Sequence, residues 1–348
     1  MSGIANSGQS DVPLEPPILE LKRVGQDWPV RLGPRRYARI AAAREVSFHV
    51  CQGETLGLVG ESGCGKSTVA KAIVQAPRPT RGQVLLHGVD LTRQHGEQLR
   101  RSRRDIQMIF QDPYSSLDPR WSVADLVAEP LRINRIGTKA ERNSRVEDLL
   151  HRVGLSLREF GDRRPRQLSG GQAQRVGIAR ALSLSPEVVI CDEAVSSLDV
   201  SIQAQVLNLL ERLQRELNLT YIFIAHDLAV VRHVSDQVVV MYRGKVCEIA
   251  SNANLYANPS HPYTASLLAA AAGGSDSPRE TEQFVDRAKE MLVPLDTTSG
   301  CPYRTRCPSA QDLCAREEPA LRGESFRQVA CHFPLSPVAA ATERVDIP

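Results

Sequence analysis

The stretch Gly60-Glu61-Ser62-Gly63-Cys64-Gly65-Lys66-Ser67 sets two glycines on either side of four residues and follows them with Lys and Ser. Few short patterns restrict a fold so tightly. The glycines let successive backbone N–H groups turn inward around phosphate oxygens, and the helix that leaves the loop adds its positive dipole end. A strand must therefore deliver the loop and a helix must carry it away. The flanks fit: Leu56-Gly57-Leu58-Val59 reads as a short buried strand, and Thr68 to Val74 carries Val69, Ala70, Ala72 and Ile73 at helical spacing. In this pattern Gly60 through Gly65 cradle phosphates, Lys66 reaches the β and γ phosphates, and the Ser67 hydroxyl ligates magnesium, with Thr68 beside it. The chain reads as a nucleotide binder.

A second set of residues narrows the reading. Val188-Val189-Ile190-Cys191-Asp192-Glu193 is another buried-strand run, ending in two carboxylates that suit a magnesium shell and the polarisation of water. Between the two lies Leu168-Ser169-Gly170-Gly171-Gln172. Taken alone, this pentapeptide is a helix-capping turn, with Ser169 capping a helix that runs through Leu182.

Taken together, these motifs resemble the ATPase subunit of an ATP-binding cassette (ABC) transporter, and the resemblance runs from about Leu19 to Phe333. It implies an α/β fold: a RecA-like core with an antiparallel β subdomain, an α-helical subdomain, and a small C-terminal Cys-rich domain. It also assigns roles. Tyr37 stands where the family stacks an aromatic on adenine. Gln111, in Phe110-Gln111-Asp112-Pro113, matches a glutamine that touches magnesium, and Ser197-Leu198-Asp199 matches the D-loop. His226, after Ile224-Ala225, matches the switch histidine at the γ phosphate. By the same likeness Lys66, Ser67, Gln111 and Asp192 hold ATP and Mg2+, Glu193 is the general base, and His226 stabilises developing charge. Ser169, Gly170, Gly171 and Gln172 then close over the nucleotide of a second ATPase subunit. One departure stands out: Ala194 occupies a position where the family usually has Pro. Both carboxylates remain, so activity is still expected.

The branch is indicated elsewhere. Gln111 through Pro119, Val200 through Val206, and Asn258-Pro259-Ser260-His261-Pro262-Tyr263-Thr264 resemble dipeptide and oligopeptide importers, particularly the second of their two ATPases. Nickel, glutathione and antimicrobial-peptide importers share these segments. The implied partners are a second, distinct ATPase, two transmembrane permease subunits and an extracytoplasmic binding protein, with this chain peripheral on the cytoplasmic face of the membrane.

Four of the eight cysteines, Cys301, Cys307, Cys314 and Cys331, fall together in a segment punctuated by Pro302, Pro308 and Pro319. The start of the chain lacks the basic end and apolar core of a secretory signal, so a metal site is favoured over two disulfides. Zinc and an iron–sulfur cluster both accept four thiolates, although the paired short spacings usual for zinc are absent. Importers of the resembling group carry a 4Fe–4S cluster at a matching set, so that cluster is expected, with Zn2+ the alternative. Cys51, Cys64, Cys191 and Cys247 read as buried small residues.

Composition limits the rest. With 348 residues and 42% hydrophobic content the chain can build a two-part core, and its net charge of +3 is too small for nucleic-acid binding to be inferred. No apolar run approaches the roughly eighteen residues of a membrane span. Residues 1–17 and 335–348 are expected to be disordered, 18–257 to form the ATPase domain with a helical subdomain at about 112–180, and 258–334 to form the Cys-bearing unit behind a linker at Gly273–Pro278. ABC ATPases that serve translation or DNA maintenance usually carry two cassettes or a coiled-coil insertion. This chain has one of each motif and no heptad run. An iron–sulfur redox protein with a vestigial ATPase conflicts with the intact ATP-handling set.

Overall fold

The computed structural model describes residues 16–33, 36–196, 198–272, 299–324 and 327–336. The chain's first residues, Ser197, the expected linker and the last residues of the tail lie outside them. Strands β1 (Leu19–Gly33) and β2 (Arg36–Val50) form a long antiparallel hairpin. Val46 to Val50 reads as a strand and lies opposite the buried Leu19, Leu21 and Val24, whereas the outer half sets Trp28, Val30, Tyr37 and Ile40 singly among Arg, Gln, Asp and Ala and is held by backbone pairing. Strand β3 (Thr55–Val59) joins a different sheet, whereas β4 (Arg81–Leu86) and β5 (Val89–Asp90) complete a four-stranded sheet in the order β2-β1-β4-β5.

The main sheet adds β6 (Ile106–Ile109), β7 (Val188–Asp192), β8 (Thr220–Ile224), β9 (Gln237–Tyr242) and β10 (Lys245–Ser251). Two short strands, β11 (Arg322–Glu324) and β12 (Arg327–Val329), come from the C-terminal segment. The order is β11-β12-β10-β9-β3-β8-β7-β6, with β6, β7, β8, β3 and β9 mutually parallel and β10, β12 and β11 joined on by successive antiparallel pairings. Strands β3, β7 and β8 are buried along their whole length, which is why they read as unbroken apolar runs. Alternate side chains divide between two cores. Leu56, Leu58, Ile190 and Ile222 pack with the hairpin sheet and the helix Lys66–Ile73, while Val189, Cys191 and Phe223 pack with the helical layer.

That helical layer contains Val123–Ile133, Lys139–Arg152 and Gly170–Leu182, each started by a hydroxyl cap from Ser122, Thr138 or Ser169. Thr138 with Glu141, and Ser169 with Gln172, close reciprocal capping boxes. The amphipathic run read from Thr138 to Val153 is therefore realised, burying Val146, Leu149 and Leu150.

Beyond residue 298, where a small Cys-rich domain is expected, the described residues pack on the main sheet. β12 pairs with β10, and Cys301, Tyr303 and Cys314 belong to the main core. The path into this segment is pinned at Glu248, a fully buried β10 carboxylate that accepts the Ser260 and His261 N–H groups at 2.7 and 2.8 Å.

His261 is buried, and its Nδ1 accepts the Tyr263 N–H at 3.0 Å. Burial lowers its pKa to about 4, so the folded state holds it neutral while the unfolded chain protonates near 6.5. The contribution is thus fully present above pH 6.5 and is lost as pH falls from there toward 4, by about 3 kcal/mol over the window. Urea denaturation at pH 7 and pH 5 should show this slope flattened in His261→Asn, which keeps an acceptor for Tyr263 but does not titrate. Identical slopes would refute the assignment.

Candidate functional site

Strands β3, β8, β7 and β6 are adjacent and parallel, so their carboxyl ends share one edge, the usual location of ligands in open α/β sheets. Each end delivers one part of the expected site. β3 leads into the phosphate loop, β6 into Gln111, β7 into Asp192 and Glu193, and β8 into His226.

In the loop, Gly60, Gly63 and Gly65 take φ values of 149°, 77° and 108°. A Cβ would lie 2.2 Å from the Met241 carbonyl oxygen at Gly60 and 2.1 Å from that of Ala42 at Gly65, so the loop is clamped between β9 and the hairpin. Lys66 is buried, and its Nζ donates to the carbonyls of Gly60 at 2.7 Å and Glu61 at 3.1 Å. The Ser67 hydroxyl donates to Asp192 Oδ1 at 2.9 Å. Burial pushes the Asp192 carboxyl above its ordinary range; the Ser67 bond opposes this, and the charge of Glu193 adds to it.

Glu193 sits in the left-handed region at φ 50°, with its N–H donating to the Ile224 carbonyl at 2.9 Å. This fixes the turn even though Ala194, which is buried, replaces the usual Pro. Gln111 Nε2 donates to Glu193 Oε2 at 2.6 Å, and His226 Nδ1 lies 3.9 Å from Oε1. Lys66, Ser67, Gln111, Asp192, Glu193 and His226 are thus brought to one edge of the sheet.

The glycine-rich turn packs on the segment that follows the acid pair. Ser169 caps its helix, and the nearest atoms to a Cβ on Gly170 or Gly171 belong to Leu198 and Ile202 respectively, the latter at 2.7 Å. Asp199 caps the helix Val200–Leu217 by accepting the Ile202 N–H at 3.0 Å. The Tyr114 hydroxyl donates to the Leu168 carbonyl at 2.9 Å, which ties the segment after Gln111 to this turn. Tyr37 is 68% exposed on the hairpin, opposite Arg31. Trp28, another exposed aromatic, pairs with Ile40 and so projects from the other face; the reading of the sequence passed over it. Also unforeseen are two contacts to Glu61, from Tyr263 and Arg306, which lie 202 and 245 residues away in sequence.

The four-cysteine metal site is overturned, for the 4Fe–4S cluster and for zinc alike. Among the described residues no group of three or more His, Cys, Asp or Glu side chains is placed to hold a metal ion, and none of the eight cysteines is in a disulfide. Cys301 and Cys314 are buried in the main core with Cys307 packed against it. Burial raises the Cys301 thiol and pushes Cys331 up to about 11. Cys64, Cys191 and Cys247 are buried as expected, but Cys51 only partly.

Residues 43–196 match the ABC transporter family, and residues 247–314 match the oligopeptide/dipeptide transporter C-terminal region. The oligopeptide transport ATP-binding protein AppF of Bacillus subtilis is 47% identical over 91% of this chain and 97% of its own length. OppF of Haemophilus influenzae, likewise an oligopeptide transport ATP-binding protein, is 45% identical over 84% of this chain and 88% of its own. The ATP-binding cassette MJ0796, solved as a dimer bound to ADP and Pi, superposes with a TM-score of 0.60 at 30% identity, covering 67% of this chain and 98% of that one. With the nucleotide loop, paired carboxylates and glycine-rich turn already in place, the chain belongs to the ABC transporter ATPases, among the ATP-binding proteins of the oligopeptide transport group.

Proposed function

We propose that this chain hydrolyses ATP to drive import of di- or oligopeptides, as the ATPase subunit of a membrane transporter. The observation that carries the reading is the shared strand edge: Ser67 on Asp192 at 2.9 Å and Gln111 on Glu193 at 2.6 Å, beside a lysine already seated in a glycine cradle. Relatives named for oligopeptide transport support the solute class. The same machinery importing nickel or glutathione remains the second reading.

The residues suit a magnesium–triphosphate. A hydroxyl facing a carboxylate, with a Gln amide close by, is an oxygen donor set for Mg2+, and Ser67, Asp192 and Gln111 would hold it. When bound, that ion neutralises charge on the phosphates. Lys66 and the loop N–H groups bind the β and γ phosphates, with Glu61, Ser62, Gly63, Cys64 and Thr68 contributing backbone to the cradle. Tyr37 stacks on the base. Glu193 takes the proton from the attacking water as the bond from the γ phosphorus to its bridging oxygen breaks, releasing ADP and phosphate. His226 offsets charge on the transferred group.

The turn Ser169 to Gln172, resting on Leu198 and Ile202, which flank the exposed Val200, supplies the lid for a second ATPase subunit. Gln111 opens a route to the permease. Beside it is a cleft of about 490 Å³ lined by Lys71, Arg104, Met108, Phe110, Ile133 and Arg180, with Phe110 and Ile133 exposed. An apolar floor rimmed by Arg suits a short cytoplasmic helix of a membrane subunit. Among the described residues no helix is long and apolar enough to cross a membrane, so attachment to its cytoplasmic face comes through the permeases.

Reconstitution with its permeases, partner ATPase and binding protein tests this. Oligopeptide-loaded binding protein should raise ATP turnover at least about tenfold over the isolated chain, with uptake of labelled peptide. Stimulation by nickel or glutathione instead would move the solute, and equal turnover without permeases would remove the transport reading.

A further inference from the structure

The phosphate loop is held from outside at Glu61. Its N–H donates to the Tyr263 hydroxyl at 3.0 Å, and its two carboxylate oxygens accept from Arg306 Nη1 at 2.9 and 3.1 Å. Tyr263 comes from the helix Pro262–Ala272 and Arg306 from the C-terminal segment, and neither is loosely placed. Tyr263 is 1% exposed and its ring centroid lies 4.7 Å from that of Tyr242 and 5.3 Å from that of Tyr303. The Arg306 guanidinium lies 6.0 Å from the Tyr242 centroid and 5.9 Å from that of Tyr303. Tyr242 ends β9, directly after Met241, whose carbonyl crowds Gly60. Strand, aromatic cluster and phosphate loop thus form one packed unit.

Two physical facts give this a purpose beyond anchorage. Glu61 is the acidic residue of the loop, so an unpaired carboxylate there would repel the triphosphate the loop receives. The ion pair is also about one-third exposed on both sides, and such pairs add little to global stability. Its leverage is local, on the charge and shape of the phosphate cradle. We propose that Arg306 and Tyr263 are positioning residues for ATP binding: acting through Glu61, they neutralise the loop and hold its backbone ready for phosphate. This rests on the ATP-site reading above, and linkage makes it reciprocal, so bound nucleotide tightens the C-terminal segment in turn.

The test measures the affinity of the full-length chain for a fluorescent ATP analogue and the kinetics of the assembled complex. Arg306→Ala should weaken binding by about three- to tenfold, raising KM for ATP more than it lowers kcat, and Arg306→Lys should recover part of the loss. Tyr263→Phe, which keeps the ring packing, should weaken binding by about two- to fivefold. Adding Glu61→Gln to Arg306→Ala should restore affinity to within about twofold of Glu61→Gln alone, an outcome a merely structural arginine would not give. Wild-type affinity in Arg306→Ala, or a full additional loss in the Glu61→Gln background, would overturn the proposal. No nucleotide binding by the wild-type chain would instead sink the ATP-site reading itself.

Discussion

Glu193→Gln leaves ATP binding near its wild-type level and lowers turnover of the assembled complex by about 10²–10⁴-fold. The side chain keeps its volume and can still meet the Gln111 amide through its carbonyl oxygen, while the 50° φ and the N–H bond to Ile224 are backbone features the substitution does not touch. What disappears is the site that accepts a proton. ATP therefore accumulates on the enzyme, and the ATPase pair should be trapped in its nucleotide-bound, closed form. Binding is read with a fluorescent nucleotide, turnover by phosphate release. Retained hydrolysis would mean that another group, such as His226 at 3.9 Å, takes the proton.

The second large effect comes from a methyl group. Gly65→Ala should abolish measurable ATP binding and destabilise the chain by about 2–4 kcal/mol. Its Cβ would sit 2.1 Å from the Ala42 carbonyl oxygen, and φ of 108° lies outside what an L side chain readily adopts. The obstacle is backbone on both sides, so no rotamer change relieves it. Either the hairpin lifts away or the loop opens, and the second disperses the N–H groups that hold phosphate. Denaturation midpoints separate the two losses. Gly88→Ala provides the comparison: it too has a positive φ, 75°, but nothing lies within 4 Å of the added carbon, so it should cost only backbone strain.

Much of this site was legible because its signals are local. The glycine spacing before Lys66, the acid pair closing an apolar run, and the Ser169–Gln172 capping box are each contained within a few residues, and the turn chemistry that creates them also writes the pattern. The outer half of the β1–β2 hairpin was not legible, since it rests on cross-strand backbone pairing and its apolar residues, such as Trp28 and Ile40, form no local run. The link from Tyr263 and Arg306 to Glu61 was invisible because no local rule connects residues so far apart. The cysteines misled for the opposite reason: a dense spacing resembles a ligand set, whereas the folded segment turns Cys301 and Cys314 into core residues. Local spacing cannot distinguish thiols that converge on an ion from thiols that turn toward a hydrophobic interior.

The pairing of β12 with β10 bears on how this protein can be cut. Severing the chain near residue 258, to divide an ATPase from an accessory lobe, would strip β10 of its outer neighbour and bare a row of unsatisfied amides and carbonyls along the rim of the main sheet. It would also leave the Glu248 carboxylate, now sealed beneath Ser260 and His261, without its two donors. Such a fragment carries a template for sticking to its own copies, and any loss of activity it showed would report clumping before it reported a missing function.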